Sequence, residues 1–223
     1  MNTPVQTYLV TQEDRSAGRS TTEIVEAAIA GGVDVVQLRE KDTTARRRYK
    51  MGQNIREQTA QAGVTFLVND RVDLAAAIDA DGVHLGDEDL PVTAAREVLG
   101  QDAIIGRSVS TPTAAQEAER VGADYLGVGA VYPTGTKDVT AESAEIGPEA
   151  VTAIIEAVSI PVVGIGGITP SNASEVIQAG ADGVAVVSAI TSADNPTAAT
   201  RKLQESVNKA SIERQIGNEE TSA

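Results

Sequence analysis

Eight short runs rich in valine, isoleucine and leucine, separated by stretches of helical periodicity, constrain this 223-residue chain more than any other feature. The runs are Tyr8–Thr11, Val33–Lys41, Val64–Asp70, Gly82–Gly86, Ala103–Val109, Tyr125–Val131, Pro161–Ile168 and Gly183–Ile190. Helical patterns lie between them at Thr21–Ala30, Thr44–Ala62, Pro112–Val121, Pro148–Val158, Pro170–Ala179 and Asn195–Val207, with shorter ones at Val72–Ile78 and Val92–Leu99. Near-continuous apolar strands need cover on both faces, and strands that alternate with helices pair in parallel. Eight such units predict closure into one α/β domain, a single (β/α)8 TIM barrel over residues 1–208. The polar stretch Lys209–Ala223 is weakly periodic and is expected to be a frayed terminal extension.

Composition narrows the function. A chain of this size can bury roughly 70% of its unfolded surface, so its core needs no covalent or metal staple. With no cysteine, disulfides, thiolate zinc sites and a cysteine nucleophile are excluded. The formal net charge of −14 offers no basic stripe for nucleic acid. No apolar run approaches the ~20 residues that span a bilayer, and the first residues lack the basic and apolar segments of a secretory signal. A cytoplasmic protein with small-molecule partners is expected. Assembly into a homo-oligomer is compatible with this expectation and not required by it.

A weak repeat supports the barrel. Asp34, Asp81, Asp124 and Asp182 each follow a small or apolar residue at the start of an even-numbered strand, at spacings of 47, 43 and 58 residues. Each spacing covers two strand–helix units. These positions fall at the N-terminal face of the barrel, where side chains serve stability rather than chemistry.

Chemistry belongs at the opposite face, where strand after strand turns polar. The second strand ends Gln37–Leu38–Arg39–Glu40–Lys41. Alternation puts Gln37, Arg39 and Lys41 on one face and Leu38 and Glu40 on the other. Because Leu38 belongs among the packing helices, the two cations point toward the barrel mouth and call for an anion there. A diphosphate suits them, gripped by the planar fork of Arg39 and the point charge of Lys41. The competing reading is a structural salt bridge to Asp70 or Asp89. Those two aspartates end the third strand and follow the fourth, beside Asn69, and one or two carboxylates plus substrate phosphates make a typical Mg²⁺ site. Ordinary helix capping is the alternative for each aspartate taken alone.

The remaining strand ends are also polar. Ser108 and Ser110 end the fifth strand without the base that a nucleophilic serine needs, so Ser108 is expected to hydrogen-bond a ligand. After the sixth strand, Thr134, Gly135, Thr136 and Lys137 form a hydroxyl-and-amine cluster suited to oxyanions, in a stretch that could close over substrate. Gly166 and Gly167 after the seventh strand let backbone N–H groups approach a phosphate, and Ser188 after the eighth adds a donor. His84, the only histidine, is expected to be a packed, hydrogen-bonded core residue.

Seven segments in this order, QLREK, LVND, GVHLGDEDLP, GRSVS, PTGTKDV, PVVGIGGI and GVAVVSAI, resemble the thiamine phosphate synthase family from Tyr8 to about Ile190. The resemblance implies a transferase that joins an aminopyrimidine diphosphate to a thiazole phosphate, in free or carboxylated form, and releases pyrophosphate. It implies that Gln37 to Lys41 (Leu38 and Glu40 included), Asn69, Ser108 and Lys137 bind the pyrimidine diphosphate, with Arg39, Lys41, Ser108 and Lys137 acting in catalysis. Asp70 and Asp89 would hold Mg²⁺. Thr134, Gly135, Thr136, Gly166, Gly167, Val187 and Ser188 would bind the thiazole phosphate. The family ionises its pyrimidine substrate first, and the thiazole nitrogen captures the resulting methyl cation. The inventory agrees: no activated nucleophile is evident, and cations surround the expected leaving group.

Three positions depart from the family pattern. Asp87 stands where glutamine is usual, Gly164 where alanine is common, and Ser110 where histidine is frequent. Two other functions compete. A thiazole tautomerase on the same barrel would need a placed acid–base group, and a non-catalytic phosphate-ligand sensor would tolerate loss of Asp70, Asp89 or Lys41.

Overall fold

The computed structural model describes residues 5–134 and 146–221. Eight parallel strands close into one barrel in the order β1 to β8: Thr7–Val10, Val35–Leu38, Thr65–Asn69, Gly82–Leu85, Ile104–Val109, Tyr125–Val128, Val162–Ile165 and Gly183–Val186. Helices α1 to α9 span Thr21–Gly31, Ala45–Ala62, Val72–Ala77, Val92–Leu99, Pro112–Arg120, Gly147–Ile155, Ala173–Gln178, Ser188–Thr191 and Pro196–Thr221. The expected (β/α)8 architecture is therefore present. Among the described residues, no helix is long and apolar enough to cross a membrane.

Alternation along the strands builds two apolar layers. Tyr8, Val10, Val35, Leu67, Tyr125, Val163 and Ala185 pack together inside the barrel. Leu9, Val36, Leu38, Phe66, Val68, Val83 and Leu85 belong to the larger core between sheet and helices. This two-residue period is what a closed parallel sheet requires. Two interior positions carry no side chain because large neighbours fill the space: a Cβ at Gly106 would lie 2.2 Å from the Tyr125 ring, and one at Gly127 would lie 2.8 Å from His84.

The four repeated aspartates close the bottom of the barrel. Asp34 Oδ2 accepts the Thr7 N–H, Asp81 Oδ2 that of Phe66, Asp124 Oδ2 that of Ile105 and Asp182 Oδ2 that of Val162, at 2.7–2.8 Å. Each aspartate N–H donates to the carbonyl of that same residue. The carboxylates thus satisfy strand N–H groups that lie before the ladder begins. Arg96 adds an ion pair to Asp124 at 2.6 Å, with 16% of its side chain exposed. Asp124→Ala would leave the Ile105 N–H without its acceptor and Arg96 without its carboxylate, with only backbone carbonyls such as that of Gly122 to receive its hydrogens. We expect a loss of about 2–3 kcal/mol and a Tm lower by roughly 5–10 °C; a thermal melt unchanged within about 1 °C would refute the clamp.

Two expectations are corrected. Several strands are shorter than the runs expected for them, because the backbone leaves the ladder early. After β2, Arg39 N–H donates to Thr11 Oγ1, and after β8 the bonds from Thr191 N–H to Val187 and from Ser192 N–H to Ser188 are helical. Nor does the chain fray from Lys209. Helix α9 runs to Thr221; it continues the stripe of Leu203 and Val207 in the expected helix by burying Ala210, and Arg214 Nη1 donates to the Ile177 and Ala181 carbonyls at 2.9 Å. The polar composition of that stretch hid a narrow docking stripe.

Candidate active site

Strands β2 to β5 deliver their last inward residues to a cavity of about 250 Å³ at the C-terminal mouth of the barrel. Its rim carries Arg39, Lys41, Asn69, Asp70, Asp89 and Ser108. Lys41 Nζ lies 3.0 Å from Asp70 Oδ2, so the ion pair considered from the sequence exists at the mouth of the cavity. Asp70 sits at φ 64°, a left-handed conformation that aspartate tolerates better than most residues, and its N–H donates to the His84 carbonyl at 2.9 Å. Asp89 curls back so that Oδ2 accepts the Gly86 N–H at 2.6 Å. Burial pushes the Asp89 carboxyl above its usual range, and the neighbouring Asp70 carboxylate adds to the rise. The Gly86 N–H and Lys41 oppose it.

Two acids crowded in this way repel each other when both are ionised, and a cation relieves the repulsion. The donor set therefore fits a hard divalent ion. Among the described residues, no group of three or more histidine, cysteine or acidic side chains converges to hold a metal. An ion bound by Asp70 and Asp89 would draw its other ligands from substrate oxygens and water, as Mg²⁺ commonly does. Asp87, which departs from the family pattern, lies on the same rim, and its charge is paired with Arg107 at 2.6 Å.

A second cavity of about 350 Å³ opens beside the first, between the segments that follow β6, β7 and β8. Thr134, Gly166, Gly167, Val187 and Ser188 line it, with Arg15 and Arg39. Gly166 and Gly167 adopt φ of 101° and 62°, where side chains are strained. They also leave no room: a Cβ at Gly166 would come 2.7 Å from Ala130 Cα, and one at Gly167 would come 2.5 Å from the Pro133 carbonyl. The glycine pair thus fits a double constraint, of which the sequence suggested only the ligand side. Gly164, the other departure, packs against α7, where a Cβ would meet Val176 at 2.5 Å. Arg39, Val10, Ile165 and Ala185 border both cavities, so the two spaces share a wall.

Not every candidate faces this region. Leu38 is fully buried between sheet and helices, and its side chain packs outward. Glu40 is also turned away. Its carboxylate accepts from Glu13 N–H and Thr21 Oγ1–H at 2.9 Å, tying β2 to the segment after β1 and to α1. Ser110 lies beyond the end of β5 and is exposed. Gly135, Thr136 and Lys137 lie outside the described residues.

Tyr8, Gln37, His84 and Tyr125 also line the first cavity. Of these, sequence reasoning placed Gln37 there and passed over the two tyrosines. His84 is hydrogen-bonded as expected, yet it stands half-buried in the cavity wall rather than in the core. Alternation could have found the tyrosines, since Leu9 and Leu126 face outward and place their neighbours inward.

Comparison with known proteins places the chain in a family. The family described as thiamine monophosphate synthase matches residues 7–190. The chain is 83% identical to a thiamine-phosphate synthase of Haloquadratum walsbyi over the full length of both. It is 64% identical to one from Natronomonas pharaonis, over 90% of this chain and 94% of that one. Among solved structures, a thiamine phosphate pyrophosphorylase from Pyrococcus furiosus superposes with a TM-score of 0.85 at 40% identity, covering 93% of this chain and 98% of the other.

Proposed function

Because the chain belongs to the thiamine monophosphate synthase family, we propose that its two adjoining cavities join an aminopyrimidine to a thiazole and release pyrophosphate. The substrates are 4-amino-2-methyl-5-(diphosphooxymethyl)pyrimidine and 4-methyl-5-(2-phosphoethyl)thiazole or its carboxylated form, and the products are thiamine phosphate and pyrophosphate. The enzyme is a transferase. The C–O bond between the pyrimidine methylene and the diphosphate breaks, and the diphosphate leaves with the electron pair. The thiazole nitrogen then gives its lone pair to the methylene cation, forming the C–N bond.

The observation that carries this reading is the shared wall. One cavity gathers Arg39 and Lys41 with two metal-suited acids, the other gathers small backbone-rich segments, and Arg39 borders both. Mg²⁺, when bound by Asp70 and Asp89, would neutralise charge on the diphosphate. Arg39 and Lys41 hold that diphosphate in the first cavity, and Asn69 and Ser108 hydrogen-bond the same substrate. Lys137 is assigned to its phosphates by the family resemblance. Thr134, Gly166, Gly167, Val187 and Ser188 hold the thiazole phosphate, to which the family resemblance also assigns Gly135 and Thr136. Aligned reactants and fixed positive charge supply most of the rate in such a scheme, with no general base required.

A tautomerase would need an acid–base side chain in the thiazole cavity. Among its described lining residues there is no histidine, lysine or carboxylate. We place the chemistry in the cytoplasm, since both substrates are charged phosphates that do not cross a bilayer unaided. Incubation of the protein with both substrates and Mg²⁺ should release pyrophosphate and thiamine phosphate in equal amounts. Consumption of thiazole phosphate without pyrophosphate would overturn the proposal, as would no reaction at all.

A further inference from the structure

A continuous chain of five polar side chains crosses the barrel beneath the first cavity. Gln37 Nε2 donates to the Tyr8 hydroxyl, Tyr8 and Tyr125 hydroxyls lie 2.9 Å apart, Tyr125 Oη is 2.8 Å from His84 Nδ1, and His84 Nε2 is 2.9 Å from Ser108 Oγ. Gln37, Tyr8 and Tyr125 are at most 4% exposed, so their hydrogens turn to one another rather than to bulk solvent. Burial raises both phenols well above their ordinary value, and each keeps its proton.

From this arrangement we infer that the Gln37 amide sets the direction of the whole chain, fixing His84 as the Nε2–H tautomer and committing Ser108 to donate its own hydrogen into the cavity. An amide nitrogen only donates, so the Tyr8 oxygen accepts from Gln37. The Tyr8 hydrogen then goes to Tyr125, because a phenolic hydrogen buried without an acceptor costs about 1–3 kcal/mol. With that lone pair engaged, Tyr125 gives its hydrogen to His84 Nδ1. A neutral imidazole carries one proton, so it sits on Nε2 and is donated to Ser108 Oγ. One lone pair of the Ser108 oxygen is thereby engaged, and because His84 Nε2 is the donor the serine hydrogen turns away from it, toward the cavity.

Ser108 so oriented offers its hydrogen to a ligand atom with lone pairs. Given the function proposed above, that atom is a diphosphate oxygen, and polarisation along the chain strengthens the bond as negative charge grows on the leaving group. Gln37, Tyr8, Tyr125 and His84 are then positioning residues that act through Ser108.

The test uses the single histidine of the chain as its own probe. In the ligand-free protein labelled with ¹⁵N-histidine, long-range ¹H–¹⁵N spectra at about pH 8, above the ordinary imidazole range, should show one neutral Nε2–H tautomer whose Nδ1 carries the shift of a hydrogen-bonded acceptor. A proton on Nδ1, on both nitrogens, or exchanging evenly between them would overturn the inference. In Tyr125→Phe, which keeps the ring, the Nδ1 resonance should move toward that of an unbonded acceptor; an unmoved resonance would also overturn it. Turnover of Tyr125→Phe should fall about tenfold in the wild-type background and not at all further in a Ser108→Ala background. An equal fall in both backgrounds would mean that Tyr125 does not act through Ser108. The spectra need no substrate, so a wrong tautomer defeats the relay alone, whereas missing pyrophosphate release defeats the proposed reaction alone.

Discussion

Lys41→Ala should lower the turnover number by roughly 10²–10³-fold and leave thiazole phosphate binding within about twofold. The asymmetry follows from position. Lys41 lines the first cavity and not the second, and its side chain is 54% exposed, with its ammonium 3.0 Å from Asp70. In the free protein that pair is a wet surface contact worth little to stability, so the variant should fold and melt like the parent. With the diphosphate seated, solvent is displaced and the ammonium faces an anion whose charge grows as the C–O bond breaks. An interaction that strengthens toward the transition state appears in the turnover number more than in binding. Losing the ammonium also leaves Asp70 and Asp89 with less opposing positive charge, which adds to the cost at the same step. Steady-state kinetics with each substrate varied in turn checks this. An unchanged turnover number would remove Lys41 from the chemistry, and a rise confined to the Michaelis constant for the thiazole would assign it to the wrong cavity.

Why Lys41 was legible in the sequence, and other parts of the site were not, has a physical basis. A two-residue period is rigid, so placing Leu38 among the helices also turned Gln37, Arg39 and Lys41 toward the barrel interior and its mouth. The same rule had already turned Glu40 outward, where it anchors α1, although the resemblance grouped it with the substrate-binding positions. The repeated aspartates were legible because a carboxylate before a strand has one obvious task, accepting N–H groups that the ladder leaves over. Strand ends were harder. Apolar residues continue past β8 as Val187 and Ile190, but they are buried by a helical turn, and hydrophobicity alone does not distinguish the two. In α9 the error ran the other way, since beyond the expected helix the docked Ala210 and Arg214 were hidden among polar residues. The polar chain beneath the cavity was illegible for a different reason. Tyr8, Tyr125 and His84 are separated by 41 residues or more, and only barrel closure brings their hydroxyls and ring nitrogens together. The room for them is visible afterwards in Gly106 and Gly127, whose missing side chains are the counterpart of the bulky rings.

Asp89→Asn should weaken Mg²⁺ binding by roughly 10–100-fold without destabilising the fold. The amide retains an oxygen for the Gly86 N–H, so the bend that follows β4 stays satisfied. What disappears is one of two negative charges that burial and mutual repulsion already make costly, as the raised Asp89 carboxyl reports. Removing a strained charge should leave thermal stability equal or slightly higher, whereas a residue kept for structure would lower it on substitution. Function and stability therefore move in different directions, the pattern expected where a site holds unfavourable charge for a ligand to neutralise. Isothermal titration with Mg²⁺ and pyrophosphate, together with a thermal melt of the ion-free protein, measures both quantities. Pyrophosphate belongs in the titration because among the described residues no group of three or more histidine, cysteine or acidic side chains converges on a metal, and the diphosphate would complete the shell begun by Asp70 and Asp89. Should the Asn variant titrate like the parent, Asp89 is a loop anchor that happens to face the cavity, and Asp70 alone would have to position the ion. A lowered melting temperature with unchanged Mg²⁺ affinity would reach the same conclusion by the other route.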